Sequence, residues 1–326
     1  MCVRIVGVGS YHPERSVPNS ELGVRVRLDA AGIYRRTGIR RRYWAADGES
    51  TSDLAAAAGR RALDHAQIAA TAVDLIIVST TSPDMQFPST ACLVQRHLGA
   101  RRAAAFDVAA SCAGFLFALD VGRRYVATGA APVVLVIAAE VKSRFINPHD
   151  AGTAILFGDG AAAAVLRRAG GESEGILSLV LHSDGTGADW IDLPAGGSRR
   201  PTTTATLAAG LNSMRMQGGR VFRASVRRLV EVTHEALAAA GLRLSEIDHF
   251  VYHQANGRIL AQLARRLGLA PPRLPITLED CGNTSSASVP MALARLVEQG
   301  RVKPGERLLL GAFGGGLNWG AAAIQW

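Results

Sequence analysis

Aromatic residues make up only 6% of the 326-residue chain, and none sits in an array interleaved with basic side chains. A surface built to stack nucleic-acid bases is therefore absent, and no nucleic-acid partner is expected. Cysteine is scarce. Cys2, Cys92, Cys112 and Cys281 show no Cys-x-x-Cys spacing, which suits reduced thiols in a cytoplasmic protein and not a disulfide framework. The eight histidines show no ligand spacing, so no metal or redox cofactor is implied. Gly-Asp-Gly at 158–160 falls far short of a dinucleotide-binding fingerprint. No apolar run approaches the ~20 residues that cross a bilayer, so no membrane partner is expected either. The opening MCVRIVGVGSYHP lacks the long apolar core of a signal peptide and reads as a strand.

The chain does hold enough apolar residues for a large core: 48% are hydrophobic and 19% charged. Its length suggests about two domains. The net charge of +9 leaves room for an acidic partner. The basic residues are scattered in small clusters such as Arg35-Arg36 and Arg265-Arg266, an arrangement that an ordinary solvated surface would also give.

The chain contains a duplication. At one constant offset, Asp74 ahead of LIIVSTT falls on Asp248 ahead of HFVYHQA. Ser111-Cys112-Ala113 falls on Ser285-Ser286-Ala287, and VVLVIAA (133–139) on RLLLGAF (307–313). Each half then reads as an opening strand, an amphipathic helix (52–68; 223–240), a buried strand (73–79; 247–253), a helix (112–128; 286–299) and a last buried strand (132–139; 307–313). Continuous Val/Ile/Leu runs alternating with helices mark strands covered on both faces, hence an α/β layered fold. The polar, Gly-rich stretch 167–175 is the expected seam, dividing the chain into halves 1–170 and 171–326. Residues 186–218 have no counterpart and read as a lid or binding loop.

Three side chains offer chemistry. Cys112 stands where an apolar run meets a long apolar helix. There, unpaired N–H groups and the helix dipole would favour the thiolate. A buried structural cysteine fits the same pattern. His253, in YHQANG, ends a buried strand, where ligands gather in α/β sheets and where a satisfied histidine is equally at home. Asn283, in GNTSSAS, has the form of an ordinary helix cap. The duplication changes their meaning, because Cys112 and Ser286 occupy equivalent helix starts. A pseudo-dyad would bring nucleophile, imidazole and amide together. The glycine run after Phe313 can supply close-approaching N–H groups.

Taken together, GSYHPE, RRTGIR (35–40), the Cys112 block, LFGDGAAAAVL (156–166), HQANGRI, GNTSSASVP and FGGGLNWG cover essentially the whole chain. They resemble the β-ketoacyl-acyl-carrier-protein synthase III family of the thiolase superfamily. The resemblance implies a five-layer αβαβα fold of two duplicated halves around a pseudo-dyad, usually as a homodimer. It implies an acyl-Cys112 intermediate, an oxyanion hole from the N–H groups of Cys112 and Gly315, and a thioester-holding role for His253 and Asn283. The reaction would be decarboxylative Claisen condensation of an acyl thioester with malonyl-acyl-carrier protein. Hydroxymethylglutaryl-CoA synthases of this superfamily use Glu near this step because they remove a proton; a neutral Asn suits loss of CO2. Arg36, Phe87, Phe157 and Asn256 are the implied substrate contacts, with Phe87 reaching into the partner's acyl pocket. Arg223, Arg258, Arg265 and Arg266 are the implied docking patch for acidic acyl carrier protein. Coenzyme A or phosphopantetheine thioesters would be substrates, and no cofactor is implied. Two positions depart from the pattern. Gly32 and Ala151 stand where a Trp and an Arg sandwich the adenine of coenzyme A. That loss opens a second possibility, a related acyltransferase of secondary metabolism passing the acyl group from Cys112 to oxygen or nitrogen.

Overall fold

The computed structural model describes residues 2–171 and 174–326. Met1 and, in the middle of the expected seam, Glu172 and Ser173 lie outside the described residues.

Two large sheets, of five and four strands, carry most of the chain. The first orders its five strands Val3–Tyr11, Gly160–Arg168, Val134–Glu140, Leu75–Ser79, Ala104–Val108. Leu75–Ser79 runs parallel to both of its neighbours, and Gly160–Arg168 antiparallel to both of its own. The second sheet repeats this order with Gly175–Ser183, Asn318–Gln325, Arg307–Gly314 and His249–Tyr252. It stops one strand short. Where the first half has its edge strand, the second has the short helix Leu278–Cys281. The sequence there, LEDC, puts two carboxylates where a buried strand needs apolar side chains.

Successive strand residues face opposite layers. Leu75, Ile77, Val134, Val136 and Ala138 join one core, whereas Ile76, Val78, Leu135, Ile137 and Ala139 join another. With both faces covered, a strand reads as an unbroken apolar run, the pattern in the sequence. Helices Thr51–Ala66 and Thr90–Leu98 cover the outer face of the first sheet. Gly218–Ala239 and Gly257–Leu267 cover that of the second. Gly114–Thr128 and Ser288–Glu298 lie between the sheets and share one core with both. The architecture is thus the five-layer αβαβα anticipated from sequence. No helix among the described residues is long and apolar enough to cross a membrane.

The segment 186–218 forms a small excursion, with Ile191–Asp192 paired to Arg215–Met216 and one short helix, Thr204–Ala208. Ile191, Met214, Met216 and Gly218 from its two ends line the main cavity, which makes it a wall of the site.

Candidate active site

Each half builds the same kind of elbow beside the site. After Ala104–Val108 the chain turns through Ser111, at φ 48°, into one 3₁₀ turn, Ser111–Ala113, and then the helix Gly114–Thr128. In the second half Ser285, at φ 52°, opens the turn Ser285–Ala287 ahead of Ser288–Glu298. A left-handed backbone at a non-glycine residue costs ~1–2 kcal/mol. Both halves bear that cost at the equivalent serine, and the two elbows meet: Cys112 Sγ lies 3.4 Å from Ser285 Oγ. The end of the strand Arg307–Gly314 closes over Cys112. A Cβ at Gly314 would stand 2.6 Å from the Cys112 backbone nitrogen, so only glycine lets the strand come this near.

Cys112, Gly315, His253 and Asn283 all line one cavity of about 600 Å3. Burial pushes the Cys112 thiol up, although Ser285 and the Lys142 ammonium pull the other way. This corrects the expectation that the helix start favours the thiolate: loss of water around the sulfur shifts the balance towards the thiol.

Burial likewise depresses the His253 imidazole to about 3, so the ring is neutral at ordinary pH. Its tautomer follows from its neighbours. Ser288 Oγ accepts from the Gln254 backbone N–H at 3.3 Å and lies 2.5 Å from His253 Nδ1. The hydroxyl proton is thus available to Nδ1, which leaves the ring proton on Nε2. Asn283 Oδ1 accepts from the Ser285 backbone N–H at 2.9 Å, which assigns the amide with Nδ2 as the remaining donor. Among the described residues, neither His253 Nε2 nor Asn283 Nδ2 has a hydrogen-bond partner. Two neutral donors therefore remain for a ligand. The backbone of Asn283 is clamped between Leu156 O, at 2.9 Å, and Gly158 N, at 3.1 Å. Phe157, between them, is buried and lines the cavity.

Neutrality of His253 has a stability consequence. Its folded pKa lies below the unfolded value, so unfolded chains take up the proton first as the pH drops. Stability is fully present above about 6.5 and is lost progressively as the pH falls towards 3. Against wild type, His253→Gln is expected to lose less stability between pH 6.5 and 4, by on the order of a few kcal/mol. Denaturant melts of both proteins across that range measure it.

A group that sequence reasoning missed lies directly behind Cys112. Glu140, at the end of an apolar strand, is fully buried. Its carboxylate accepts from Ser285 Oγ at 3.1 Å, Ser286 Oγ at 2.9 Å and Ser82 Oγ at 2.6 Å, and pairs with Lys142 Nζ at 3.1 Å. Burial alone would raise its pKa; Lys142 and these donors outweigh burial and hold it below the usual carboxylate value. The signal was present in the sequence as a charge closing the run VVLVIAAE, where it reads as a strand end. Gln254 was also missed. It binds Tyr252 O, Pro275 O and the backbone N–H groups of Thr277 and Leu278, fixing the turn beside His253.

The remaining residues separate. Arg36, Asn256, Arg223 and Arg258 line the cavity, and all three arginines are exposed. Asn256 caps the helix Gly257–Leu267 through the Arg258 N–H, and its amide donates to Arg36 O at 3.3 Å. Arg265 and Arg266 are exposed on that helix but do not line the cavity. They stand seven and eight residues past Arg258, some 10 Å along the axis. Phe87 is 84% exposed and is also absent from the cavity of its own chain. Ala151 lines the cavity whereas Gly32 does not.

Known proteins are similar to this chain in sequence and fold. The family model described as 3-oxoacyl-[acyl-carrier-protein] synthase III matches residues 106–185, and its C-terminal counterpart matches 237–326. Over 325 residues the chain is 47% identical to a β-ketoacyl-[acyl-carrier-protein] synthase III of Rhodospirillum centenum, covering 99% of this chain and 98% of that protein. The chain belongs to the 3-oxoacyl-acyl-carrier-protein synthase III family. Among solved synthase III structures, that from Aquifex aeolicus VF5 superposes with a TM-score of 0.91 at 36% identity, covering 99% of this chain and 100% of that one. A priming β-ketosynthase of a polyketide biosynthetic pathway gives the same TM-score and identity, over 99% of this chain and 96% of that one.

Proposed function

We propose that this synthase III condenses an acyl thioester with malonyl-acyl-carrier protein, releasing CO2 and giving a 3-oxoacyl thioester. One observation carries the reading: Cys112 shares its cavity with two neutral donors, His253 Nε2 and Asn283 Nδ2, and among the described residues no carboxylate lines that cavity. Cys112 Sγ attacks the acyl thioester, and the departing thiol takes the proton. The malonyl carbonyl then lies against the two donors. As its C–CO2 bond breaks, the electron pair becomes an enolate whose oxygen they stabilise. The carbanion attacks the acyl-Cys112 carbonyl, whose oxyanion faces the N–H groups of Cys112 and Gly315. Cys112 leaves as thiolate.

The division of labour follows the duplication: residues 1–170 bring the nucleophile, and 171–326 bring His253 and Asn283. The exposed arginines at the mouth, Arg36, Arg223 and Arg258, suit an acidic carrier and the phosphate of its pantetheine arm. Gly32 and Ala151 offer no adenine platform, which favours donors held by the pantetheine arm over donors gripped by the nucleotide. The bare Phe87 on its exposed loop suits insertion into the acyl site of a second copy, as a homodimer requires.

The decisive experiment follows Cys112 by intact mass. Acyl-coenzyme A or acyl-carrier donors should add one acyl group to wild type and none to Cys112→Ala. Malonyl-carrier protein should then release CO2 and a 3-oxoacyl product. Acylation without a new C–C bond would point to transfer to oxygen or nitrogen instead. Docking is tested separately. Arg223→Glu with Arg258→Glu should raise KM for malonyl-carrier protein about tenfold with kcat little changed. Arg265→Glu, farther along the helix, should raise it less.

A further inference from the structure

Only two of the 36 Lys and Arg residues are lysines, Lys142 and Lys303. One of them lines the cavity that holds Cys112. Lys142 is 6% exposed. An ammonium has three N–H donors. Glu140 Oε2 and Thr81 Oγ1 take two of them. The carboxylate behind is already engaged by Ser82, Ser285 and Ser286, so the pair is neutral as a unit. In a chain that uses arginine almost everywhere, this wall carries a compact ammonium and not a planar guanidinium.

We propose that Lys142 reads the acyl group through its third N–H, selecting acyl thioesters that carry a neutral hydroxyl or oxo oxygen over plain alkyl ones. This rests on the acyl-Cys112 reading above. Along the cavity lining Arg36, Arg223 and Arg258 are exposed, Cys112 and Thr81 half-buried and Lys142 buried, so the cavity runs from solvent towards Lys142. The thiol part of a donor therefore leads outward, and its acyl part faces Lys142. An alkyl chain lying there strips water from the N–H and returns nothing. An oxygen replaces the lost water, and sites built to bond such a group reject the analogue that lacks it. A carboxylate tail is disfavoured because Glu140 already balances the ammonium, and a second anion would enter the same enclosed site unpaired.

The test uses N-acetylcysteamine thioesters, which bypass coenzyme A and carrier contacts. Butyryl, 3-hydroxybutyryl, 4-hydroxybutyryl and succinyl donors are compared by the rate at which Cys112 gains mass. Wild type should take one hydroxyacyl donor 10–100-fold faster than butyryl, with succinyl slowest. Lys142→Met should bring the hydroxyacyl and butyryl rates within threefold. If Lys142→Met fails to fold, the paired Glu140→Leu/Lys142→Met variant, which removes both charges, takes its place. Equal wild-type rates for butyryl and both hydroxyacyl donors would overturn the proposal, as would a folded Lys142→Met that keeps the preference. Acylation by no donor would overturn the acyl-Cys112 reading itself and this inference with it.

Discussion

Asn283→Asp is expected to lower condensation by two to three orders of magnitude while Cys112 still acylates within a few-fold of the wild-type rate. The substitution is nearly isosteric. An Asp at this position still accepts from the Ser285 N–H, so the elbow and its clamp between Leu156 and Gly158 survive. What changes is the atom turned to the cavity: a donor becomes a charged acceptor. In the proposed enolate step that places like charge against developing charge, and losing one oxyanion donor alone costs about 10²–10³ in rate. The proposed acylation step makes no demand on Nδ2. Single-turnover mass spectrometry of Cys112, run beside CO2 release from malonyl-carrier protein, separates the two steps. Equal losses in both would mean that Asn283 merely supports the fold.

The second large effect concerns stability. Glu140→Leu should cost about 3–5 kcal/mol, because it leaves Lys142 as an unpaired charge in a buried wall. Ser82, Ser285 and Ser286 lose their common acceptor at the same time. Adding Lys142→Met removes the stranded charge, so the double variant should recover most of the loss. Thermal melts of the two variants decide it. If single and double variants melt together, the ion pair is not what the site depends on.

Much of this was legible because strands covered on both faces advertise themselves. Runs such as LIIVS and VVLVIAA need no partner to be recognised. The offset pairing of Ser111 with Ser285 also pointed to a meeting of helix starts, and the two side-chain elbows do touch. Position along a helix was harder to read. Arg258 and Arg265 share a face by spacing, yet two turns of rise separate one from the cavity and leave the other beside it. Glu140 and Lys142 were illegible for another reason. A charge after an apolar strand normally marks where the chain reaches water. Only the second elbow, brought in from 145 residues away, turns that place into an interior.

The central pair of helices belongs to neither half alone. Gly114–Thr128 leans on the second sheet as well as its own, and Ser288–Glu298 leans on the first. A gene split at the glycine-rich joint would thus yield two pieces, each with a broad greasy surface laid bare. Made separately they should clump; made side by side in one cell they should reassemble, and thiol reactivity of the kind described would return only with the reunion.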